Sequence, residues 1–271
     1  MTLCIAAVAR SSGGKSYITV SDHMLSNSSM SAEPTLVKTS FIGTKIRWAV
    51  MFAGDTTHAY RIIQRVINST AGQTETFAVM ESAFEMAFKA ELEQKINDEL
   101  LSPLGITREQ FQKTGKKAFG REIFGKMLYQ IGNVRLDTDL LIGNASRIFS
   151  VSDPGKIDYH DPLGFHAIGV GATLAQAALM GAIDSLHPVN HIVYRLLEAK
   201  FRGEAAAGVG KKTFLTVMDA AGACRQMTSD ECDDIRAIWE IKGKPPVPDS
   251  AKKLIDGLLK PFTGVPVIPI V

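Results

Sequence analysis

The first 22 residues constrain the fold most strongly, because they predict a β-hairpin that brings a hydroxyl group and a carboxylate together. An apolar run begins at Leu3 and is followed by the turn sequence "SSGGKS", whose two glycines can supply unusual backbone angles. The next stretch, "YITVSD", predicts a second strand that ends at Asp22. Since the strands of a hairpin run side by side in opposite directions, we expect Thr2 and Asp22 at the same end of the pair.

The threonine at position 2 allows three interpretations. Thr2 can simply start a strand, since threonine favours strands. It can lie at the head of a signal peptide, or it can become the first residue after removal of Met1, with a free α-amine beside its own hydroxyl. A signal peptide is disfavoured because no Lys or Arg precedes "LCIAAVA" and this run is short, although Ala7-Val8-Ala9 resembles a cleavage site.

Cysteine usage and hydropathy predict the compartment. Cys4, Cys224 and Cys232 are an odd number, and their spacing suits neither a disulfide framework nor a metal site. No stretch approaches the roughly 20 apolar residues of a membrane-spanning helix. We therefore expect a cytoplasmic protein without a membrane partner. Within the first strand, Cys4 is predicted to be a small buried hydrophobic residue rather than a nucleophile.

Charge and motifs disfavour several other classes of protein. The formal net charge is +2 without long runs of one sign, which argues against a nucleic-acid partner. "GVGKKT" resembles a phosphate-binding loop, but Ala205 replaces the glycine required five residues before Gly210. "GVGATLA" lacks the third glycine of a dinucleotide-binding fingerprint. Because Pro188 begins a helix between His187 and His191, that pair is disfavoured as a metal site. We expect neither a cofactor nor a metal.

The chain beyond the hairpin alternates between strands and helices. A polar loop follows His23, a second hairpin "FIGTKIRWAVMFAG" turns at Gly43, and a helix begins near Thr56. Residues 75–130 have a helical pattern, and "TREQFQKT" restarts a helix from a threonine N-cap. One stripe in this region is apolar at a spacing of three and four and is predicted to be core, namely Phe77, Met80, Phe84, Phe88 and Leu92.

The element order predicts an α+β fold with two sheets packed face to face and helices outside. Strands return with a "DPG" turn at residues 153–155, two helices follow, and a last hairpin runs from Lys212 to Thr228. At 271 residues and 45% hydrophobic composition, the chain can bury one large core. We predict one domain over residues 1–240 with an enlarged helical insertion at about 72–131, and a linker, short helix and apolar tail over 241–271.

Several weak motifs follow one another in an informative order. A threonine heads the first strand, "SD" closes the second, Lys38 comes sixteen residues after Asp22, and an apolar strand ends in "AG" before a helix. Further on, "IFSVSDPGKIDYHDPLGFHAIGVGATLA" combines a Pro-Gly hairpin with a strand that enters a glycine-bounded helix. This order, over about Thr2 to Ser69 and Asp137 to Met227, resembles the β-subunits of the proteasome and their bacterial relatives among the N-terminal-nucleophile (Ntn) hydrolases.

The resemblance implies a four-layer αββα sandwich that hydrolyses amide bonds through Thr2 after removal of Met1, which is expected because the threonine side chain is small. The freed α-amine, with an ordinary pKa of about 7.7–8.0, would take the hydroxyl proton. Lys38 would favour the neutral amine by charge repulsion, and Asp22 would keep Lys38 charged and oriented. The backbone N–H of Gly54 would donate to the developing oxyanion.

Three further positions bear on this comparison. Within "GVGA", Val170 occupies the place of a serine in that family, and "GEAAAGVGKK" replaces its Asp-Gly-Ser-Ser-Gly-Gly. Glu204 is the candidate for the aspartate of that stretch, but no serine follows it. Lys45 competes with Lys38 for the role of the supporting lysine, but it follows the Gly43 turn and so should lie at the opposite end of the strand from Thr2.

Three functions remain open on the sequence. The leading hypothesis is a proteasome-like threonine peptidase that acts on peptide or amide substrates as a homo-oligomer, in a ring or stacked assembly with the helical insertion and tail as candidate interface elements. The first alternative is an inactive scaffold or assembly subunit of the same fold. The second is a small-molecule N-acyl amidase, since a fold alone does not fix the substrate.

Overall fold

The structure is a computed structural model that describes residues 2–23, 25–26, 31–32 and 38–243, with only the backbone described at 25–26 and 31–32. Most of the predicted polar loop after His23 lies outside these residues, and so do the predicted short helix and apolar tail. The chain divides into two compact units, Met1–Arg236 and Ala237–Val271. The domain limits proposed from the sequence, including the insertion at about 72–131, stay predictions.

Two five-stranded antiparallel sheets contain most of the strands. The first sheet contains β1 (Leu3–Ser11), β2 (Gly14–Asp22), β10 (Phe165–Gly169), β11 (Thr213–Met218) and β12 (Cys224–Met227). The second contains β5 (Thr39–Ile42), β6 (Trp48–Gly54), β7 (Thr138–Gly143), β8 (Ile148–Ser152) and β9 (Lys156–Tyr159). Their strand orders are β10-β1-β2-β11-β12 and β5-β6-β7-β8-β9. The two short strands β3 (Leu25–Ser26) and β4 (Ser31–Ala32) pair with each other.

Six α-helices lie in the described part of the chain: α1 (Thr56–Thr70), α2 (Phe77–Ile96), α3 (Arg108–Asn133), α4 (Ala172–Leu179), α5 (Val189–Gly203) and α6 (Ser229–Ile238). The carboxylate of Asp55 caps α1 by accepting from two backbone N–H groups, and Thr107 caps α3 as predicted. Helix α3 is broken at Gly120, whose φ of 76° and ψ of 166° are not helical. The prediction of a mixed architecture with two sheets is confirmed, and both sheets are antiparallel, while the four-layer order remains a prediction.

Two large apolar clusters hold these elements together. One lies between the sheets and contains Cys4 and Ala6 of β1 together with Met51 and Ala53 of β6. The other joins the second sheet to α1 and α2. The predicted apolar stripe of α2 belongs to it, since Met80, Phe84 and Phe88 are fully buried and Phe77 and Leu92 are partly buried. Burial of this much apolar surface is the main favourable contribution to folding.

Helix α6 is absent from the sequence-based predictions, although its start carries a recognisable signal. The hydroxyl of Thr228 accepts from the N–H of Glu231 at 3.2 Å, and the Glu231 carboxylate accepts from the N–H of Thr228 at 2.7 Å. These two bonds form a capping box, which the sequence "TSDE" encodes. The helix carries Arg236, whose guanidinium binds Glu204 and the Lys211 carbonyl in the loop after α5.

The carboxylate of Glu75 fastens the β5–β6 turn to the segment before α2. It accepts from the backbone N–H groups of Thr44, Lys45 and Ile46 at 2.7, 3.1 and 3.2 Å. These hydrogen bonds, with that from Thr44 the largest contribution, lower the pKa of Glu75 from 4.5 to about 2. Because the pKa in the folded state lies below that of the unfolded chain, the ionised carboxylate stabilises the fold above a pH of about 4.5.

We expect Glu75→Gln to lower the free energy of unfolding by about 2 kcal/mol at neutral pH, since the bonds to the charged oxygens are lost. The difference from the wild type should shrink as the pH falls from about 4.5 through about 2, because the wild-type carboxylate then becomes protonated. Urea unfolding across this range measures it, with Glu122→Gln on the exposed ion pair to Lys126 as control. A difference that is constant with pH would contradict the assignment.

Candidate active site

The side chains of Thr2, Asp22 and Lys38 lie together in one buried cluster. The Thr2 hydroxyl donates to Asp22 Oδ1 at 2.5 Å, and the Lys38 ammonium donates to the same oxygen at 2.7 Å. Lys38 Nζ also donates to Thr2 Oγ1. The exposed fractions of the three residues are 3%, 0% and 1%, so the hydroxyl, carboxylate and ammonium interact away from bulk water.

The hairpin register explains why Thr2 meets Asp22. In the β1–β2 pair, Cys4 lies opposite Ser21, so Leu3 is level with Asp22, the last residue of β2, and Thr2 lies one residue further along. The Asp22 carboxylate also accepts from the backbone N–H of Leu3 at 3.2 Å. The sequence-based expectation that Thr2 and Asp22 share one end of the hairpin agrees with this geometry.

Lys38 reaches the cluster from the other sheet. Thr39 lies opposite Met51 in the β5–β6 pair, so Lys38 lies near the level of Phe52. The Phe52 carbonyl in turn accepts from the Cys4 thiol at 3.3 Å, which places this level against the start of β1. The competing Lys45 is exposed and donates to Thr74 Oγ1 at 3.3 Å, so it takes no part in the cluster.

Gly54 ends β6 two residues beyond Phe52, whose carbonyl accepts from the Cys4 thiol. Thr2 precedes Cys4 by two residues. Gly54 and Thr2 are therefore each about 7 Å along the chain from this Cys4–Phe52 contact. Only glycine fits at position 54. Its φ is +92°, and an added Cβ would lie 1.9 Å from the Asp137 carbonyl oxygen. Gly54 therefore lies near the end of the sheets where Thr2, Asp22 and Lys38 cluster. Among the described residues, no hydrogen bond joins Gly54 to these three side chains.

Two further backbone positions contact Thr2 and Asp22, and the sequence-based site lacks both. The N–H of Gly210 donates to Asp22 Oδ2 at 2.9 Å, although the two residues are 188 positions apart. Gly169, with a φ of +93°, approaches so closely that an added Cβ would lie 2.3 Å from the Thr2 carbonyl oxygen. The glycines of "GVGA" and "GVGKK" are visible in the sequence, but nothing there shows that they meet Thr2 and Asp22.

The positions that depart from the family pattern have other environments. Val170 is exposed and supplies no hydroxyl. Glu204 is bound by Arg236 at 2.7 Å and by Lys200. Within the described residues, neither side chain forms a hydrogen bond to Thr2, whereas the backbone N–H of Gly210 does bind the Asp22 carboxylate.

The described residues contain no group of three or more His, Cys, Asp or Glu side chains arranged to hold a metal ion. His187 and His191 stack with ring centroids 4.2 Å apart, and His160 stacks on His166 at 3.5 Å. Burial lowers the pKa of His166 to about 4, with a smaller effect from the neighbouring His160. No helix within the described ranges is both long and apolar enough to cross a bilayer.

The cluster has the parts needed for nucleophilic chemistry by a hydroxyl group. Thr2 Oγ1 lies between an ammonium that donates to it and a carboxylate that accepts from it. A hydroxyl becomes a useful nucleophile when a nearby base takes its proton and fixed charges hold it in place. In a chain that begins at Thr2, the α-amine of the same residue would be the nearest such base.

The two-sheet fold of this chain is similar to that of solved structures of Anbu proteins. No protein-family model and no curated protein matches the sequence. Solved structures match over the whole fold: a Gly-1 mutant of Anbu from Hyphomicrobium sp. strain MC1 has a TM-score of 0.62 at 11% identity and covers 100% of both chains.

Anbu, described as an ancestral beta-subunit, from Yersinia bercovieri has a TM-score of 0.61 at 12% identity, also with 100% of both chains covered. A helical assembly of the Anbu complex from Pseudomonas aeruginosa has a TM-score of 0.58 at 14% identity, covering 92% of this chain and 99% of the other. The predicted resemblance to β-subunit-like Ntn hydrolases is thereby confirmed for the fold. Identities this low carry no conclusion about activity.

The environment of Cys4 distinguishes it from a reactive thiol. Burial raises the pKa of Cys4 to about 12, with Lys38 opposing the shift, and burial also raises the pKa of Cys232 to about 11. Cys224 is only partly buried.

We expect iodoacetamide at a pH of about 8 to alkylate Cys224 at least about tenfold faster than Cys4 or Cys232 in the folded protein, because the thiolate is the reactive form. Peptide mass spectrometry against time measures the three rates, and the denatured protein is the control in which they should converge. Fast alkylation of Cys4 would instead favour a cysteine nucleophile beside Thr2.

Proposed function

We propose that the chain, after loss of Met1, is a threonine-nucleophile hydrolase of amide bonds, and specifically a proteasome-like peptidase. The observation that carries the proposal is the contact of Thr2 Oγ1 with both the Lys38 ammonium and the Asp22 carboxylate. An ordinary strand start has no need for a buried ion pair against its hydroxyl. Burying a charged pair is costly unless its geometry serves the fold or a site.

The proposed reaction transfers an acyl group to Thr2 and then to water. The α-amine accepts the hydroxyl proton as Oγ1 attacks the amide carbonyl carbon, and a tetrahedral oxyanion forms. When the C–N bond breaks, the protonated α-amine gives its proton to the leaving nitrogen and an acyl ester remains on Oγ1. Water, deprotonated by the same amine, attacks the ester, and the acid product leaves with the threonine hydroxyl restored.

Lys38 and Asp22 would set the charge around this amine. An ammonium close to Thr2 favours the neutral, basic form of the amine by repulsion. Asp22 pairs with Lys38 at 2.7 Å, and this pairing offsets the cost of burying both charges. In the chain that retains Met1, the Thr2 nitrogen belongs to a peptide bond and cannot act as a base.

The oxyanion would be stabilised at the end of β6. Gly54 has a backbone that only glycine adopts, and it lies near the same end of the sheets as Thr2. We assign its N–H as the donor to the oxyanion. Loss of one such donor typically costs about 3 kcal/mol in the transition state.

The finer architecture and the assembly belong to the same proposal. Helices outside two facing sheets would give the four-layer αββα sandwich, with residues 72–131 as an enlarged insertion. Because one similar structure is described as a helical assembly of the Anbu complex, we propose that this chain also forms a homo-oligomer. A cytoplasmic location would match its use of cysteine.

A scaffold of the same fold is the second candidate, and the burial of Thr2 favours it. Thr2 is 3% exposed, so a substrate carbonyl has little access to Oγ1 in this conformation. A subunit that retains Met1 would keep the cluster as a purely structural element. The hydrolase requires a reactive Thr2 Oγ1 and the scaffold does not, so a reagent that labels this atom distinguishes the two functions.

We expect intact mass spectrometry of protein purified from cells to show loss of Met1, and a peptide β-lactone to add one equivalent to Thr2. The adduct should be absent from Thr2→Ala. Asp22→Asn and Lys38→Met should each slow labelling at least about 100-fold, since proton transfer and its electrostatic support are lost.

Lys45→Met is the matched control, because Lys45 is an exposed lysine from the same part of the chain, and its labelling rate should equal that of the wild type. Retention of Met1, or a folded and processed protein that does not react at Thr2, would leave only the scaffold.

The peptidase and the N-acyl amidase differ in substrate. We expect turnover of peptides with several residues on the acyl side of the scissile bond at a kcat/KM at least about tenfold above that of simple N-acyl amides, because extended main chain adds binding that tightens in the transition state. Parallel panels of fluorogenic peptides and acyl amides measure this ratio, with Thr2→Ala as blank. A ratio below one would favour the amidase.

A further inference from the structure

A second buried lysine is linked to Asp22 through the backbone of Gly210. Lys200 is on α5 and is fully buried, which is rare for a lysine side chain. Its ammonium donates to the carbonyl oxygens of Gly210 and Lys211 at 2.9 and 2.6 Å and to the Glu204 carboxylate. Two of its three acceptors are therefore main-chain atoms of a single loop.

Arg236 of α6 holds the same loop from another side. Its guanidinium forms a two-point pair with the Glu204 carboxylate at 2.7 and 2.8 Å and donates to the Lys211 carbonyl at 2.9 Å. It also lies 4.1 Å from the centre of the Phe201 ring. Glu204 thus remains paired with a cation even when Lys200 is absent.

The loop cannot position itself through its own side chains. Residues 205–210 read "AAAGVG", so none carries a polar side chain. Turn hydrogen bonds from the Ala206 N–H to the Gly203 carbonyl at 3.0 Å and from the Val209 N–H to the Ala206 carbonyl at 3.2 Å shape the earlier part of the loop. Gly210, at the end of the loop, binds partners from elsewhere in the chain. In the described part of the chain, the ammonium of Lys200 is the group that binds the Gly210 carbonyl.

Gly210 joins Lys200 to the candidate active site. Its carbonyl accepts from Lys200, and its N–H donates to Asp22 Oδ2 at 2.9 Å. The carbonyl and N–H of Gly210 belong to adjacent peptide planes that share one Cα, so anchoring the carbonyl limits the position of that Cα and hence the reach of the N–H. A chain of hydrogen bonds therefore connects Lys200 to Thr2. The Lys200 ammonium binds the Gly210 carbonyl, the Gly210 N–H binds the Asp22 carboxylate, and that carboxylate accepts from the Thr2 hydroxyl.

We infer that Lys200 is a positioning residue for the candidate active site, which holds the loop at Gly210 so that its N–H orients the Asp22 carboxylate toward Thr2 and Lys38. The inference rests on the proposed function for its consequence on reaction rate, but not for its consequence on loop structure. Burial lowers the pKa of Lys200 and the Glu204 carboxylate opposes that shift, as expected of a charge kept inside the protein for a specific contact.

The competing explanation is a purely structural ion pair between Lys200 and Glu204. A structural pair would affect stability and leave the reactivity of Thr2 unchanged in the folded protein. A positioning residue would change the rate of the covalent step while leaving the initial binding of a reagent unchanged. Measuring the rate constant of the covalent step separately from the binding constant of the reagent therefore distinguishes the two explanations.

Lys200→Met tests the inference, because methionine has a similar length and no charge. Lys113→Met is the matched control, since Lys113 also pairs with a glutamate four residues away on a helix but is exposed. Hydrogen–deuterium exchange of peptides spanning residues 205–211 reports on the Gly210 N–H. The peptide β-lactone gives the inactivation rate constant and the reversible binding constant separately.

We expect Lys200→Met to speed exchange at the loop about tenfold, as for loss of one hydrogen bond, with no change in peptides from β6 and β7. The inactivation rate constant should fall about 10- to 100-fold at an unchanged binding constant, since small displacements of reacting groups have effects of this size. Lys113→Met should match the wild type in both assays.

Unchanged loop exchange in folded Lys200→Met would overturn the inference, and so would faster exchange with an unchanged inactivation rate. If Lys200→Met does not fold, Glu204→Gln, which keeps the lysine but weakens its anchoring, should give smaller changes in the same direction, and no change would overturn the inference. If the wild type does not react at Thr2, the proposed function fails, and loop exchange alone decides whether Lys200 positions Gly210.

Discussion

The buried carboxylate of Asp22 is the interaction on which the candidate site depends. Among the described residues, four donors reach it: the Thr2 hydroxyl, the Leu3 N–H, the Lys38 ammonium and the Gly210 N–H. A carboxylate removed from water at 0% exposure is strongly destabilising unless such donors compensate it. Because they come from the first strand, the second sheet and the loop after α5, Asp22 can be buried only when all three are in place. The charge therefore links the site to the completeness of the fold.

Part of this arrangement is readable from the sequence because it depends on local geometry. A two-strand hairpin places Thr2 beside Asp22 whatever the rest of the chain does, and an apolar stripe at helical spacing predicts that Phe84 and Phe88 are core. The choice of Lys38 over Lys45 needed one further step, the position of each lysine relative to the Gly43 turn. All of these features involve side chains that are separated by few residues, so their identity and spacing can be read directly from the sequence.

The part that was not readable depends on backbone groups and long separations. Gly210 meets Asp22 across 188 positions through an N–H that every residue except proline carries, so its sequence has no distinguishing mark. Lys200 looks like one of many lysines, because its burial depends on how α5 packs. Only the start of α6 carried an overlooked signal, the capping box of Thr228 and Glu231.

The missing serines of the family pattern are weaker evidence against a working site than they first seem. What a carboxylate such as Asp22 requires is donors at the right distance, and a backbone N–H satisfies that need as well as a hydroxyl does. A serine side chain can help to hold its own loop, whereas an alanine- and glycine-rich loop has only backbone groups for this. The buried ammonium of Lys200 is placed to do that, because it binds the main chain at Gly210 and Lys211. A loop without hydroxyl groups and a fully buried lysine behind it are then two parts of one arrangement, in which the Gly210 N–H donates to Asp22 and the Lys200 ammonium binds the carbonyl of the same glycine.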